Sequence, residues 1–191
     1  SVPGGQTLLL KEQRRDELIE EGREVLELMK AYANFVFDIY EKDALTCSQF
    51  SDVETNFMAL VQGPPCDWDV YDGDGRIIGP TGRELARFDP SNYHEHIREA
   101  VWKHSSTKVP YYKPEGVGGI IRVGPLARLN VANQIPFPVA REYEKRYLEL
   151  FPRTCIQVQG FNLARIPELI AAQEEVLELL EDPVTVGEDI R

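Results

Sequence analysis

Four aspartates, Asp67, Asp69, Asp72 and Asp74, come nearest in this chain to a metal site. Hard carboxylate oxygens at alternating positions are what a calcium loop offers, and Asp72-Gly-Asp-Gly-Arg-Ile77 imitates part of an EF-hand. In that register Val70 falls where the first carboxylate belongs and Thr81 where the bidentate glutamate belongs. The aspartates therefore read better as a turn between two strands than as ligands. His94 and His96 are two apart and point roughly 200° from each other on a helix, so they cannot share one zinc ion. With His104 further on, they are expected as surface or capping residues. Cys47, Cys66 and Cys155 are far apart and form no CxxC, which reads as reduced thiols packed as small hydrophobes. No GxGxxG, P-loop or GxSxG string is present, and no cysteine has a neighbouring histidine to activate it.

Arginine offers more. Lys108 to Asn133, KVPYYKPEGVGGIIRVGPLARLNVAN, is poor in acid within a chain of net charge −11. Glycines 116, 118, 119 and 124 sit among prolines 110, 114 and 125, a density that dictates a fixed, irregular path. Arg122 and Arg128 flank the Gly124-Pro125 turn. Planar guanidinium groups are suited to bidentate pairing that survives desolvation. Two readings stay open for them: they pin the turn to the domain's own helices, or they face another part of a larger assembly. Asn130 and Asn133 are candidates to tie the same loop by hydrogen bonds. Tyr111, Tyr112 and Trp102 read as core rather than as a stacking platform.

These residues need elements to hold them. Asp16 to Asp43 reads as one long amphipathic helix, with a start as early as Thr7 or Lys11. Leu18, Gly22, Val25, Met29, Tyr32, Val36 and Ile39 line its apolar face, and Ile19, Leu26, Phe35 and Tyr40 widen it. A face that broad is expected to be buried in a core. Residues 56–62 are a strand candidate ended by Pro64-Pro65; 68–71 and 76–78 bracket a hairpin, and 84–88 add a short strand. Ser91 or Asn92 is placed to cap a helix running to about Lys103. Pro138 opens a helix to Leu150, and Thr154 to Val158 is a strand or extended link. The last helix runs from Asn162 or Pro167 to Glu181, where Asp182-Pro183 stops it, and the tail beyond is expected to fray. Pro167 either opens that helix or kinks its first turn. The expected fold is α+β and predominantly helical: a helix bundle with a small antiparallel sheet at about residues 56–88, in a single domain over 1–191.

Composition narrows the function classes. A chain of 191 residues with 42% hydrophobic and 28% charged residues can bury a sizeable core without disulfides. Its acidity argues against nucleic acid and against an anionic membrane surface. No apolar run approaches the ~20 residues of a membrane helix. A reduced, cytoplasmic protein is expected.

Lys108-Val-Pro-Tyr-Tyr-Lys-Pro followed by Arg122-Val-Gly-Pro-Leu-Ala-Arg-Leu-Asn-Val131 resembles the middle of the large subunit of nickel–iron hydrogenases, of the soluble NAD- or F420/viologen-linked kind. The likeness extends to Val2-Pro-Gly-Gly5, Asp72-Gly73, Pro90-Ser-Asn-Tyr93 and Leu179-Leu-Glu-Asp-Pro183. It implies a scaffold fragment of a large subunit whose parent interconverts H2 with protons and electrons. A chain beginning at Ser1 then reads as an excised piece. The family's nickel–iron centre hangs on two CxxC motifs absent here, so the fragment is expected to hold no cofactor or metal and to be inactive. The parent's nickel–iron centre lies elsewhere. Implied partners are the rest of the large subunit, an iron–sulfur small subunit, and NAD- or F420-linked electron-transfer subunits. Lys108, Arg122, Gly124, Pro125, Leu126, Ala127, Arg128 and Asn130 are expected to form a structural or interface motif, with no catalytic residue among them. Two alternatives remain: a nickel-free relative, such as the quinone-end subunit of complex I-like enzymes, or a free-standing interaction protein.

Overall fold

The longest element is helix α1, Glu12–Lys42, in a computed structural model that describes residues 9–43, 52–63 and 67–186. Good helix formers dominate it, and Arg14–Glu17, Arg23–Glu20 and Lys30–Glu27 pair three residues apart on its wet side. Gly22, Ala33 and Phe37 are buried, with Leu26, Met29, Val36 and Tyr40 packed beside them. The expected inner face was wider than this. Val25, Tyr32, Phe35 and Ile39 are exposed, because the covering helices meet only one shoulder of α1.

The sheet has strands β1 (Asn56–Gln62), β2 (Asp67–Asp69), β3 (Asp74–Ile78) and β4 (Glu84–Phe88) in the order β2-β1-β3-β4, all antiparallel. β2 and β3 were expected to form a hairpin with each other; instead they pair with opposite edges of β1. The connecting loop passes over the end of β1. Asp69 accepts the backbone N–H groups of Tyr71 and Asp72, and Gly73, at φ 102°, lies where a Cβ would stand 2.4 Å from the Val61 carbonyl. Only glycine fits that approach.

The helix expected from residue 91 to about 103 is not formed. Pro90–Asn92 and Tyr93–His96 make single turns, and β5 (Ile97–Ala100) then pairs antiparallel with β6 (Val109–Tyr112). Cross-strand pairing of Ile97 with Tyr112 outweighs the local helical pattern, and Ile97 packs with Phe88 and Tyr112 on the sheet. The segment expected to be irregular also holds more order than its glycines indicate. Beyond β6 come a 3-10 stretch, Lys113–Gly118, and β7 (Ile121–Arg122), parallel to β1.

Four helices complete the chain: α2 (Pro125–Val131), α3 (Pro138–Leu150), α4 (Val158–Leu163) and α5 (Arg165–Glu181). Pro167 sits in the first turn of α5, just past the break at Ala164. Strand alternation splits the core. Phe57, Ala59, Val61 and Ile78 face the helices, while Ile77, Phe88, Tyr112 and Ile121 form a smaller cluster under the β5–β6 ribbon. The architecture is mixed α+β, dominated by helices, with a small antiparallel sheet.

Candidate interface around helix α2

Helix α2 begins at the Gly-Pro turn. Gly124 has φ 92°, and Pro125 fills the first helical turn, where its missing N–H costs nothing. Leu126, Ala127, Leu129, Asn130 and Val131 are buried, so this seven-residue helix is almost wholly interior. It is staked on several sides. Asn130 donates to the Cys155 carbonyl at 2.9 Å and accepts from the Cys155 N–H at 3.0 Å. Arg76 donates to the Val131 carbonyl at 2.5 Å, and Arg153 to those of Leu129 and Ala132 at 3.2 and 2.8 Å. Cations at the negative end of a helix satisfy carbonyls that have no intrahelical partner.

The two arginines beside the turn fare differently. Arg128 reaches α5 and grips Glu168 with both arms of its fork, Nε to Oε2 at 2.7 Å and Nη2 to Oε1 at 2.5 Å. Both side chains are about three-quarters buried, at 24% and 23% exposure. Arg122, in β7, lies 5.9 Å from the Phe57 ring centroid and has no carboxylate partner among the described residues. Burial lowers its pKa, while the nearby Cys155 thiol acts in the opposite sense. Lys108 pairs with Glu99 at 2.8 Å across the β5–β6 ribbon, in full solvent.

Cys155 is enclosed beneath α4, where its thiol donates to the Gln157 side chain at 2.9 Å. A Cβ on Gly160 would stand 2.3 Å from that sulfur and 3.1 Å from the Tyr147 hydroxyl, so α4 approaches through glycine alone. Burial pushes both the thiol and the phenol up. Cys47 and Cys66 lie outside the described residues. The aspartates are spent on the backbone and on arginine: Asp69 in its turn, Asp74 on Arg87. His96 stacks on Phe88 at 4.4 Å, His94 meets Tyr93, and His104 meets Trp102. Nothing in the sequence had marked two buried carboxylates. Glu174 accepts the Val139 and Ala140 N–H groups at the start of α3, and Glu144 accepts the Ile135 N–H and pairs with Arg153. Their charge is absorbed by the fold; Glu174 has no basic residue three or four positions away, which could have pointed to it, whereas Glu144 has Arg141 three positions before it and carried no such signal.

Along its whole length the chain is similar to hydrogenase subunits. It is 35% identical over 191 residues to the A subunit of the vhu F420-non-reducing hydrogenase of Methanocaldococcus jannaschii, covering all of this chain and 45% of that protein. The iron-sulfur A subunit of the F420-non-reducing hydrogenase of Archaeoglobus profundus is 29% identical, with all of this chain and 41% of that protein covered. A crystal structure of NAD+-reducing NiFe-hydrogenase in the H2-reduced state superposes with a TM-score of 0.89 at 29% identity, over all of this chain and 43% of that one. The chain thus spans less than half the length of the proteins it matches. No protein-family model matches it.

These names correct two expectations. They are those of A subunits, in one case called iron–sulfur, and neither names a nickel-binding large subunit; the assignment to a large subunit, with the function built on it, is therefore withdrawn. The cofactor carried in the Archaeoglobus profundus name is iron–sulfur, not the nickel–iron centre expected of the parent, so that relative is not a cofactor-free piece. The described residues do not themselves fit an iron–sulfur cluster. Cluster iron is held by several thiolates, and the described thiol, Cys155, is enclosed and held in its neutral form. Among the described residues no group of three His, Cys, Asp or Glu side chains could hold a metal ion.

Proposed function

We propose that this chain is a non-catalytic domain of a longer polypeptide, of the A-subunit kind, in a multi-subunit hydrogenase, on the electron-transferring side of the complex. The observation that carries the reading is similarity over the chain's entire length to the A subunits of F420-non-reducing hydrogenases. The way polar groups are used supports a scaffold role: Arg76, Arg128, Arg153, Glu144 and Glu174 all hold helix ends or neighbouring helices. Of the readings raised by the sequence, a nickel-free relative, such as the quinone-end subunit of complex I-like enzymes, agrees better with the A-subunit names than a nickel-binding large subunit does. The whole complex would oxidise H2 and pass electrons to a soluble acceptor, NAD in the case of the solved relative. Partners are other hydrogenase subunits, with the iron–sulfur group held by chain outside the described residues. Among the described residues no helix is long and apolar enough to cross a membrane. A cytoplasmic location belongs to the proposal, supported by the NAD+-reducing activity in the solved relative's name.

Within this reading the motif divides. Gly124, Pro125, Leu126, Ala127, Arg128 and Asn130 hold the domain together, while Lys108 and Arg122 lie on the strand side and are available to the assembly. The test is affinity purification of the tagged protein from its native host. Hydrogenase subunits are expected among the co-purified chains, and the isolated 191-residue chain is expected to show no H2-dependent dye reduction. Activity in the isolated chain, or the absence of every hydrogenase subunit from the purified material, would overturn the reading.

A further inference from the structure

Helix α1 carries a second apolar stripe that the fold leaves bare. Val25, Leu28, Tyr32, Phe35 and Ile39 recur at intervals of three and four, with exposures from 38% at Val25 to 70% at Leu28. Helix α5 repeats the pattern with Leu169, Ala172, Val176 and Leu179, all exposed. The two helices lie antiparallel. Gly22 meets Leu177 and Gln173, and Arg23 pairs with Glu181, at one end. At the other, Tyr32, Val36 and Tyr40 face Ile166, Leu169 and Ala172 across a groove of about 620 Å³. Each stripe enters that groove at one end, through Tyr32 on α1 and through Leu169 and Ala172 on α5.

Alternating three- and four-residue spacing is the seam by which helices pack on helices. Isolated exposed hydrophobics are ordinary on a protein surface, but two such seams on adjacent helices are not. We infer that the α1–α5 groove is the seat of a further helix, contributed by the part of the longer polypeptide that lies outside these 191 residues. The inference rests on the proposed reading of the chain as part of a longer polypeptide, and it adds the surface through which the parts join.

Two observations select this occupant. Proteins aligned with the whole of this chain carry more than as much chain again, since it covers 45% and 43% of them, and that chain must bury apolar surface of its own. The exposed stripes are apolar (Val, Leu, Tyr, Phe and Ile on α1; Leu, Ala and Val on α5), with Arg165 and Glu168 also lining the groove, and so continuous an apolar surface resembles a domain core cut in half, which is the character of permanent rather than transient contacts. A second copy of this chain fits less well. It would set −11 against −11.

The experiment compares Leu28→Lys/Phe35→Glu in two settings: the isolated 191-residue chain, and the full-length protein that the natural gene specifies. Neither side chain belongs to the core, so the isolated chain should melt within about 2 °C of the unsubstituted one. The yield of soluble, assembled full-length protein should fall by about tenfold or more. Amide exchange along α1 and α5 should be slower in the full-length protein than in the isolated chain. Unchanged yield and exchange would overturn the groove assignment while leaving the longer-polypeptide reading intact. A dimer of the isolated chain that Phe35→Glu dissociates would assign the groove to a second copy and overturn the inference. A natural gene specifying no chain beyond these residues would overturn both.

Discussion

Arg122 and Arg128 stand six residues apart on either side of one Gly-Pro turn, and the fold treats them in opposite ways. On the helix side Arg128 is clamped in a bidentate pair with Glu168, joining α2 to α5. On the strand side Arg122 is partly desolvated, lies near an aromatic ring, and has no carboxylate partner among the described residues. The same residue type therefore serves internal cohesion in one place and, among the described residues, leaves a cation without a carboxylate in the other. Turn chemistry cannot distinguish them, because the difference lies in whether α5 presents a glutamate.

That contrast can be broken by substitution. The largest loss is expected at Asn130, whose amide satisfies both backbone groups of Cys155. Asn130→Ala leaves a buried N–H and a buried carbonyl unpaired and should cost about 3 kcal/mol in denaturant melts. Next comes Arg128→Ala, at about 2 kcal/mol, because it strands a partly buried Glu168. Arg128→Lys should recover part of that, keeping the charge but losing the fork. Gly124→Ala should cost about 1 kcal/mol from backbone strain alone, since nothing lies within 4 Å of the added methyl group. Arg122→Met should change stability by about 0.5 kcal/mol at most, in either direction, because it removes a partly desolvated charge that has no carboxylate partner among the described residues. Equal losses at Arg122 and Arg128 would erase the distinction between the two sides.

The smallest effect concerns pH. Burial raises the Cys155 pKa in the folded state, so this thiol's contribution to stability is full below its unfolded value. That contribution is lost as pH rises through the folded value. Melts from neutral pH upward should therefore fall less steeply for Cys155→Ala than for the unsubstituted chain. An unchanged slope would show that the thiol is not held neutral by its surroundings.

The two faces of α1 repeat the lesson at larger scale. A broad apolar arc was legible in the spacing of Leu18 to Ile39, and so was the helix itself. Which shoulder of the arc is covered was not, because that depends on Gly22 admitting Leu177 and on Tyr143 of α3 reaching Lys30 and Asn34. The 91–103 segment shows the converse error. Its local pattern suits a helix, yet pairing with residues 109–112 overrides it, and a partner across a loop carries no signature at helical spacing.

The sequence by itself determined the class of fold, the long first helix, the four antiparallel strands of the central sheet but not β7, and the Gly-Pro turn with its two arginines. These follow from periodicity and from the fixed backbone demands of glycine and proline, which act within a few residues. Tertiary structure alone decided that β2 and β3 flank β1, that α2 is gripped by Arg76, Arg153 and Asn130, that Arg128 finds Glu168 while Arg122 finds no carboxylate among the described residues, and that one stripe of α1 is left exposed. The β1–β2 pairing joins residues close in the chain, but the side-chain contacts join groups far apart, from Arg153 and Ala132 at 21 positions to Gln173 and Gly22 at 151, and proximity of that kind is set by packing rather than by local pattern.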